Sequence, residues 1–384
     1  MVYNTSLEAY QDIIRLARRM ASFCGVDLLA DNYKPNWRTA LTFAGCISYL
    51  FTSCYSAWYY YPDVFKMLQA LAPNGIAWQG CLKLFIAVQQ RKFFQGRAKY
   101  LEEFHRIHVN RPEDNAVLLG LMVKMHLACR VLLSAYITAV LGFGLYPVYF
   151  FVMYGERTFA INVLVPGIDP DSQWGYFLTV SYQIFLLSIA MAGISAFDTT
   201  FLIFVCNLAG LVDVFMNKLK ELDRLLEKEK ADLAEIRDHV REILIDHYGI
   251  VSYESDLDNR YIAINLMQVG SSVACLSISL FLCYMTNYLP GYAFILGAIF
   301  QLLTYCLLGT IFSVKNDDAI LAINGTKWYL LEKSQLKMVG FMLHRCQNPS
   351  NLTVGGFAPL NIETFVEIMK TIYQFFAMMI NFVN

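Results

Sequence analysis

The chain has 384 residues, is 57% hydrophobic and only 16% charged, and has a mean hydropathy of +0.43, so a water-soluble globule is excluded and an integral membrane protein is expected. Its formal net charge of -1 identifies no partner, and nucleic acid is not among those expected. Ten cysteines are scattered, several inside apolar runs, with no CxxC and no His/Cys metal spacing; they read as small apolar residues, with no metal or cofactor implied.

Residues 1–38 are polar and partly amphipathic, with Leu7, Tyr10, Ile13, Ile14, Leu16 and Ala17 interleaved with Arg15, Arg18 and Arg19, a pattern expected to lie along the membrane surface. They show no apolar core followed by a small-residue cleavage site. The first span is residues 39–61, uncharged and ending in the aromatic belt Tyr55, Trp58, Tyr59, Tyr60 and Tyr61 before Pro62. A second, about 68–88, carries Lys83 and is interrupted by Pro73 and Gly75. Its outer half should be bent or loosely wound, and irregular backbone at membrane depth points to a cavity.

A basic, helical stretch at 89–130 leads into the third span, 131–153, where Gly142, Gly144 and Pro147 sit amid aromatics. A loop rich in turn residues (Pro166, Gly167, Pro170) precedes the fourth span. That span begins near Trp174 and runs to about Cys206, broken only by Asp198, and then changes character without a breaker. Residues 214–248 are heavily charged, with Leu219, Leu222, Leu225, Leu226, Leu233, Ile236, Val240 and Ile243 at helical spacing, as in a water-soluble helical pair projecting from the membrane. The fifth and sixth spans, 261–289 and 291–314, are uncharged and meet at Pro290 and Gly291. Residues 315–347 are amphipathic and too charged to span; Pro349, Gly355, Gly356 and Pro359 then separate them from a terminal helix. The seventh span is thus split into a soluble half and a membrane half.

In that terminal stretch Asn361 is a candidate N-cap for a helix starting near Ile362. On a wheel of about 100° per residue, Glu363, Glu367, Lys370, Gln374 and Asn381 form one narrow stripe, and Phe365, Ile368, Met369, Ile372, Phe375, Phe376, Met379 and Ile380 cover the rest. A helix with one wet side faces a bundle interior or a water-filled path, and since one chain supplies one such helix, a pore would need several copies around an axis. Of the 30 Lys and Arg residues, 26 fall in residues 1–38, 89–130, 207–260 and 315–345. The fold class expected is therefore all-α, one seven-transmembrane helical domain over 1–384 with a cytoplasmic N-terminus and an extracellular C-terminus. A G-protein-coupled receptor would lie the other way up.

No catalytic constellation is present, so an enzyme is not expected. The six histidines fall in segments assigned to the cytoplasmic side and read as solvated. There is no phosphate-binding glycine loop.

The run Tyr305, Cys306, Gly309, Ala322, Trp328-Tyr329, Gln347-Asn348-Pro349, Leu352-Thr353, Gly356, Pro359-Leu360, Thr364-Phe365 and Tyr373 resembles the C-terminal signature of insect odorant receptors, in order and spacing, over about the last 80 residues. It departs at Asn324, where the family usually has Tyr. The long insertion of the shared co-receptor between the fourth and fifth spans is missing, so the chain resembles a tuning subunit. The resemblance implies an odorant-gated cation channel in the plasma membrane of olfactory neuron dendrites, a heterotetramer with the co-receptor Orco. It implies a cytoplasmic anchor, here about 207–260 and 315–347, and a pore helix, about 360–384, with the gate near Met378, Asn381 one turn further out and Gln374 on the same face. Family pockets lie among spans two, three, four and six. Carried over, that gives Leu71; Ala139, Gly142, Phe143 and Tyr146; Val180, Gln183, Ile184 and Leu187; and Tyr292 and Ile295, a set suited to a small volatile, aromatic ones included. The competing readings are a gustatory receptor channel of the same superfamily, a non-channel seven-span chemoreceptor, and a transporter. The last would need an ionisable relay and an internal repeat, and beyond Lys83, Asp198 and the terminal stripe the sequence offers neither.

Overall fold

A computed structural model describes residues 3–30, 33–228, 232–286, 288–347 and 351–383. Asn348 and Pro349, part of the signature above, and the terminal Asn384 lie outside them. Among the described residues the helices are α1 (Ser6–Phe23), α2 (Trp37–Tyr59), α3 (Val64–Leu71), α4 (Asn74–Gln89), α5 (Arg91–His108), α6 (Pro112–Tyr154), α7 (Gln173–Leu226), α8 (Leu233–Thr286), α9 (Leu289–Gly325), α10 (Lys333–Cys346) and α11 (Ile362–Val383).

Local chemistry sets the boundaries. Asn36 caps α2, its side chain accepting from the backbone of Arg38 and Thr39 while the Thr39 hydroxyl accepts from Asn36. Pro73, which has no N–H to give, separates α3 from α4 where the sequence leads one to expect a bend. Gly155, in the left-handed region at φ 72°, ends α6. The Asn361 side chain accepts from Thr364 N at 2.9 Å, capping α11 at the expected residue.

Among the described residues four helices are long and apolar enough to cross a membrane: α6, α7, α8 and α9. The other three expected spans are α2, the broken α3–α4 pair and α11, which are shorter, richer in hydroxyls and aromatic polar groups, or striped with charge. The helices α7 and α8 each run 54 residues without a break. At about 1.5 Å per residue that is roughly 80 Å, well over twice a hydrocarbon core of about 30 Å, so each must continue into water as the charge pattern requires. In α7 the most apolar stretch is 89% buried, against 39% in α6 and in α9, which makes α7 the helix around which the others pack.

Two expectations change at the polar end. The helix α1 does not simply lie on a membrane surface: Ala9, Tyr10, Ile13 and Ala17 are buried in the main core against α5, α6 and α7. Four histidines expected to be solvated, His105, His108, His126 and His247, are buried as well. His105 stacks on Tyr10 and its Nε2 lies 2.8 Å from Asn207 Oδ1. The cause is common to both: the polar halves of the long helices form a packed bundle with its own apolar interior.

The segment before α11 is a small hairpin, β1 (Thr353–Val354) against β2 (Ala358–Pro359), turning at Gly355 and Gly356, both at positive φ. Asp258 of α8 accepts from Thr353 N at 2.7 Å and Thr353 Oγ1 at 2.9 Å, and Asn265 Nδ2 donates to Thr353 O at 3.0 Å. A Cβ at Gly309 would collide with the Leu360 carbonyl oxygen, so α9 and the entry to α11 touch backbone to backbone.

Candidate functional site

The α3–α4 break opens the bundle at the end that carries the α6–α7 loop and the α8–α9 turn. A cavity there holds about 1070 Å³ of atom-free space, its mouth included. Gly45, Cys46 and Tyr49 of α2 form one wall, and Gln69, Ala72, Pro73, Ile76, Ala77 and Gly80 around the break form another. Phe143 of α6, Tyr182, Gln183, Leu186 and Leu187 of α7, Leu282 of α8 and Phe294 of α9 complete it.

The loop between α6 and α7 folds inward as a cover. Its apolar residues Ala160, Ile161, Val163 and Leu164 are buried, and Ile161 and Val163 line the cavity. Side chains from α2, α3 and α7 and the α8–α9 turn hold its backbone or its Asn162. Gln183 Nε2 donates to Ile161 O at 2.9 Å and Val163 O at 2.8 Å. Tyr288 Oη donates to Ala160 O at 2.6 Å, Ser56 Oγ accepts from Leu164 N at 2.7 Å, and Tyr176 Oη donates to Thr158 O at 3.3 Å. Asn162 donates to the Gln69 side chain at the α3 end. The bonds to the loop backbone satisfy groups that would otherwise be buried without partners.

Of the residues expected at the site, Phe143, Gln183 and Leu187 line this cavity. Leu71 ends α3 beside the lining residues Ala72 and Pro73. Tyr146 packs on the Phe143–Val163 cluster from outside the lining. Val180 is buried one turn from Gln183, Ala139 is half-buried on α6, and Ile184 sits in the α6–α7 seam, 3.9 Å from where Gly144 would carry a Cβ. Gly142 is exposed, with open space at its Cβ position, so it stands on the outer face of α6 and leaves no room inward. On α9, Gly291 and Phe294 face the cavity while Tyr292 is exposed and Ile295 is buried in a different cluster. The whole of α2 and the loop cover lie outside the sequence-based set. The signal available for the loop was its uncharged run from Phe159 to Val165.

Directly beyond the cavity, toward the polar end, lies a buried ionic cluster. Lys83 Nζ is 2.6 Å from Asp198 Oδ1 and donates to Gln268 Oε1 at 2.9 Å. Asp198 also accepts from Tyr136 Oη at 2.5 Å, Gln301 Nε2 at 2.7 Å and Tyr305 Oη at 2.6 Å. The two ionisable residues that stood isolated in the sequence are thus one ion pair, joined by α4, α6, α7, α8 and α9. A smaller cavity lined by Cys46, Gly80, Ile189 and Ala190, all shared with the larger one, reaches Lys83.

Ile368 and Ile372 of α11 are buried with Leu276, Ile295 and Leu302, and Ser277 Oγ donates to Ile372 O at 3.3 Å. Phe294 packs against this cluster and against the cavity cluster of Phe143, Ile161 and Val163, linking the two. On the opposite face Glu363, Glu367, Lys370, Gln374, Met378 and Asn381 are exposed, with Lys370 Nζ 2.7 Å from Glu367 Oε1.

Several bilayer-length helices around an apolar cavity with a tethered cover define a multi-span helical membrane protein with room for a small molecule. Residues 63–373 match the family described as 7tm odorant receptor. The chain is 22% identical over 385 residues to putative odorant receptor 83c of Drosophila melanogaster, covering 97% of each. It is 24% identical over 325 residues to odorant receptor 10 of Aedes albopictus, covering 78% of this chain and 80% of that one. The fold is similar to that of the insect olfactory receptor OR5 from Machilis hrabei in complex with eugenol, at TM-score 0.76 and 13% identity over 98% of both chains. The chain belongs to the insect odorant receptor family, membrane receptors rather than enzymes.

Proposed function

We propose that this chain is the tuning subunit of an odorant-gated cation channel, binding a small volatile in the cavity beneath the Ile161–Val163 cover. The observation that carries the reading is the cavity itself: apolar, closed over by a loop that Gln183 and Tyr288 hold in place, and set at a helix break. The Machilis receptor of similar fold was determined in complex with eugenol, which supports a small ligand for this cavity. In this reading the N-terminus is cytoplasmic, as the distribution of basic residues favours, and the packed polar bundle anchors the chain to the co-receptor Orco in a heterotetramer. Each subunit contributes its last helix to a shared pore. The exposed stripe of α11 supports that role, with Met378 at the gate and Asn381 beside the ion path.

The test is current recording from cells expressing the chain with and without Orco, against a volatile panel. Volatile-evoked cation current only in the co-expressing cells is the expected result. Cysteines at Gln374, Met378 and Asn381 should react with a water-soluble thiol reagent when the channel is open, whereas one at the buried Ile372 should not. Equal protection of both sets would remove α11 from the pore.

A further inference from the structure

The smaller cavity that reaches Lys83 adjoins the larger one at Cys46, Gly80, Ile189 and Ala190, which line both. The two also follow the same helix faces. On α4, Ile76 and Gly80 line the larger space and Gly80, Lys83 and Ala87 the smaller, at steps of four, three and four residues. On α7 the series Gln183, Leu187 and Ala190 continues in the same way to Ile194 and Phe197, and on α2 Tyr49 and Cys46 continue to Thr42. Alternating steps of three and four keep to one side of a helix, so α2, α4 and α7 present one continuous wall to both spaces. From Gly80 to Ala87 that wall runs roughly 10 Å past the junction, at about 1.5 Å per residue.

The junction is open where Gly80 stands. A Cβ there would have only Cys46 Sγ within 4 Å, at 3.8 Å, an ordinary contact. Beyond the junction the long or hydroxylated side chains are committed: Lys83 Nζ to Asp198 and Gln268, and Thr42 Oγ1 to the carbonyl oxygens of Cys24 and Arg38. The rest of that lining is apolar or glycine. Such a space suits a hydrocarbon chain, and a polar group carried into it would exchange water for no partner.

On the reading of the larger cavity as the odorant site, we infer that it is the first of two chambers in series, and that Gly80 at their junction lets the alkyl chain of an elongated aliphatic volatile pass into the second. Each methylene buried there strengthens binding by up to about 4-fold. A side chain at position 80 closes the passage. One at Gly193, which lines only the second chamber and has open space at its Cβ position, fills that chamber from within.

The experiment records dose–response curves for n-alkyl acetates and n-alkanols, from butyl to dodecyl, in cells co-expressing the chain and Orco. Within each series the readout is the EC50 of the decyl member relative to the butyl member, compared between variants so that partition into the membrane cancels. In the unsubstituted chain potency should rise through the decyl member. Gly80→Leu and Gly193→Leu should each raise the decyl-to-butyl ratio by about 10-fold or more, the worth of two or more methylenes. An agonist acting on Orco reports whether each variant has assembled. Should either leucine variant fail that check, Gly80→Ala, whose methyl makes only the ordinary contact with Cys46, should still raise the ratio by about 2- to 4-fold. A ratio left unchanged by the substitutions, or long members inactive in both series, overturns the second chamber and leaves the odorant site standing. Absence of a response to any volatile alongside a normal response to the Orco agonist overturns both.

Discussion

Removal of the Asp198 carboxylate should be among the most damaging single changes available in this fold. Its side chain is 2% exposed and Lys83's is 4% exposed, and it accepts from Lys83, Tyr136, Gln301 and Tyr305. Asp198→Ala leaves a buried ammonium without its counter-charge, at a cost of about 3–5 kcal/mol. It also leaves three donors short of their acceptor, each adding about 1 kcal/mol or more. Lys83→Met strands the carboxylate in turn, although three neutral donors still solvate it. The paired change Lys83→Met with Asp198→Asn removes both charges and keeps an acceptor for the tyrosines, so it should cost about 2–3 kcal/mol less than the sum of Lys83→Met and Asp198→Asn. The assay is thermal unfolding of the detergent-solubilised receptor, where 1 kcal/mol corresponds to about 2 °C. Asp198→Ala should lower the midpoint by about 12–16 °C or abolish recovery, and the paired variant should recover part of the loss. Strict additivity would refute the ion pair.

Gly309→Ala places a methyl against the Leu360 carbonyl, a backbone atom with little freedom to retreat, and should cost about 2–3 kcal/mol in the same melt. Gly297→Ala on the same helix meets open space and should be neutral or slightly stabilising. Burial raises Glu254 to about 8, against a weaker opposing effect of Arg345, while burial lowers His247 and His105 to about 4. The native state therefore holds the Glu254 proton after the unfolded chain has released its own near 4.5, and stability falls between pH 4.5 and 8 on its account. The two histidines are neutral when folded and so contribute a rise with pH between about 4 and 6.5. Together these give a maximum near pH 6.5, with a decline above it of up to about 1.4 kcal/mol per pH unit, and Glu254→Gln should flatten that decline. A slope unchanged by the substitution would place the titration elsewhere. Phe294→Ala should lower the maximal odorant current more than it shifts the EC50, because Phe294 joins the cavity cluster to the α11 cluster; a pure EC50 shift would make it a ligand contact alone.

Span positions, the α3–α4 break at Pro73, the soluble continuation of α7 and the Asn361 cap were all legible in the sequence, because each is a local matter of hydropathy, a missing N–H or a side-chain oxygen near a helix start. Rotation about a helix axis was less so. One residue is about 100° of turn, which is why Gly291 and Phe294 face the cavity while Tyr292 and Ile295 do not. Gly142 was attractive as a small residue near aromatics, but which side of α6 it occupies depends on packing with α7. The Lys83–Asp198 pair is separated by 115 residues, and only the assembled bundle brings the charges together. Buried histidines and the docked α1 were missed for a related reason: polar periodicity marks a water-facing helix, yet helices of this kind can still pack on one another. The inward loop 159–165 carried a signal in its lack of charge, outweighed by the turn residues that follow it.

The most direct test of the account fills the cavity from two sides. Leu187→Trp on α7 and Ile76→Trp on α4 each place an indole in the space beneath the Ile161–Val163 cover. Co-expressed with Orco, both variants should lose volatile-evoked current while retaining current evoked by an agonist that acts on Orco. Volatile sensitivity unchanged in both variants, with Orco-evoked current intact, would contradict the assignment of odorant binding to this cavity.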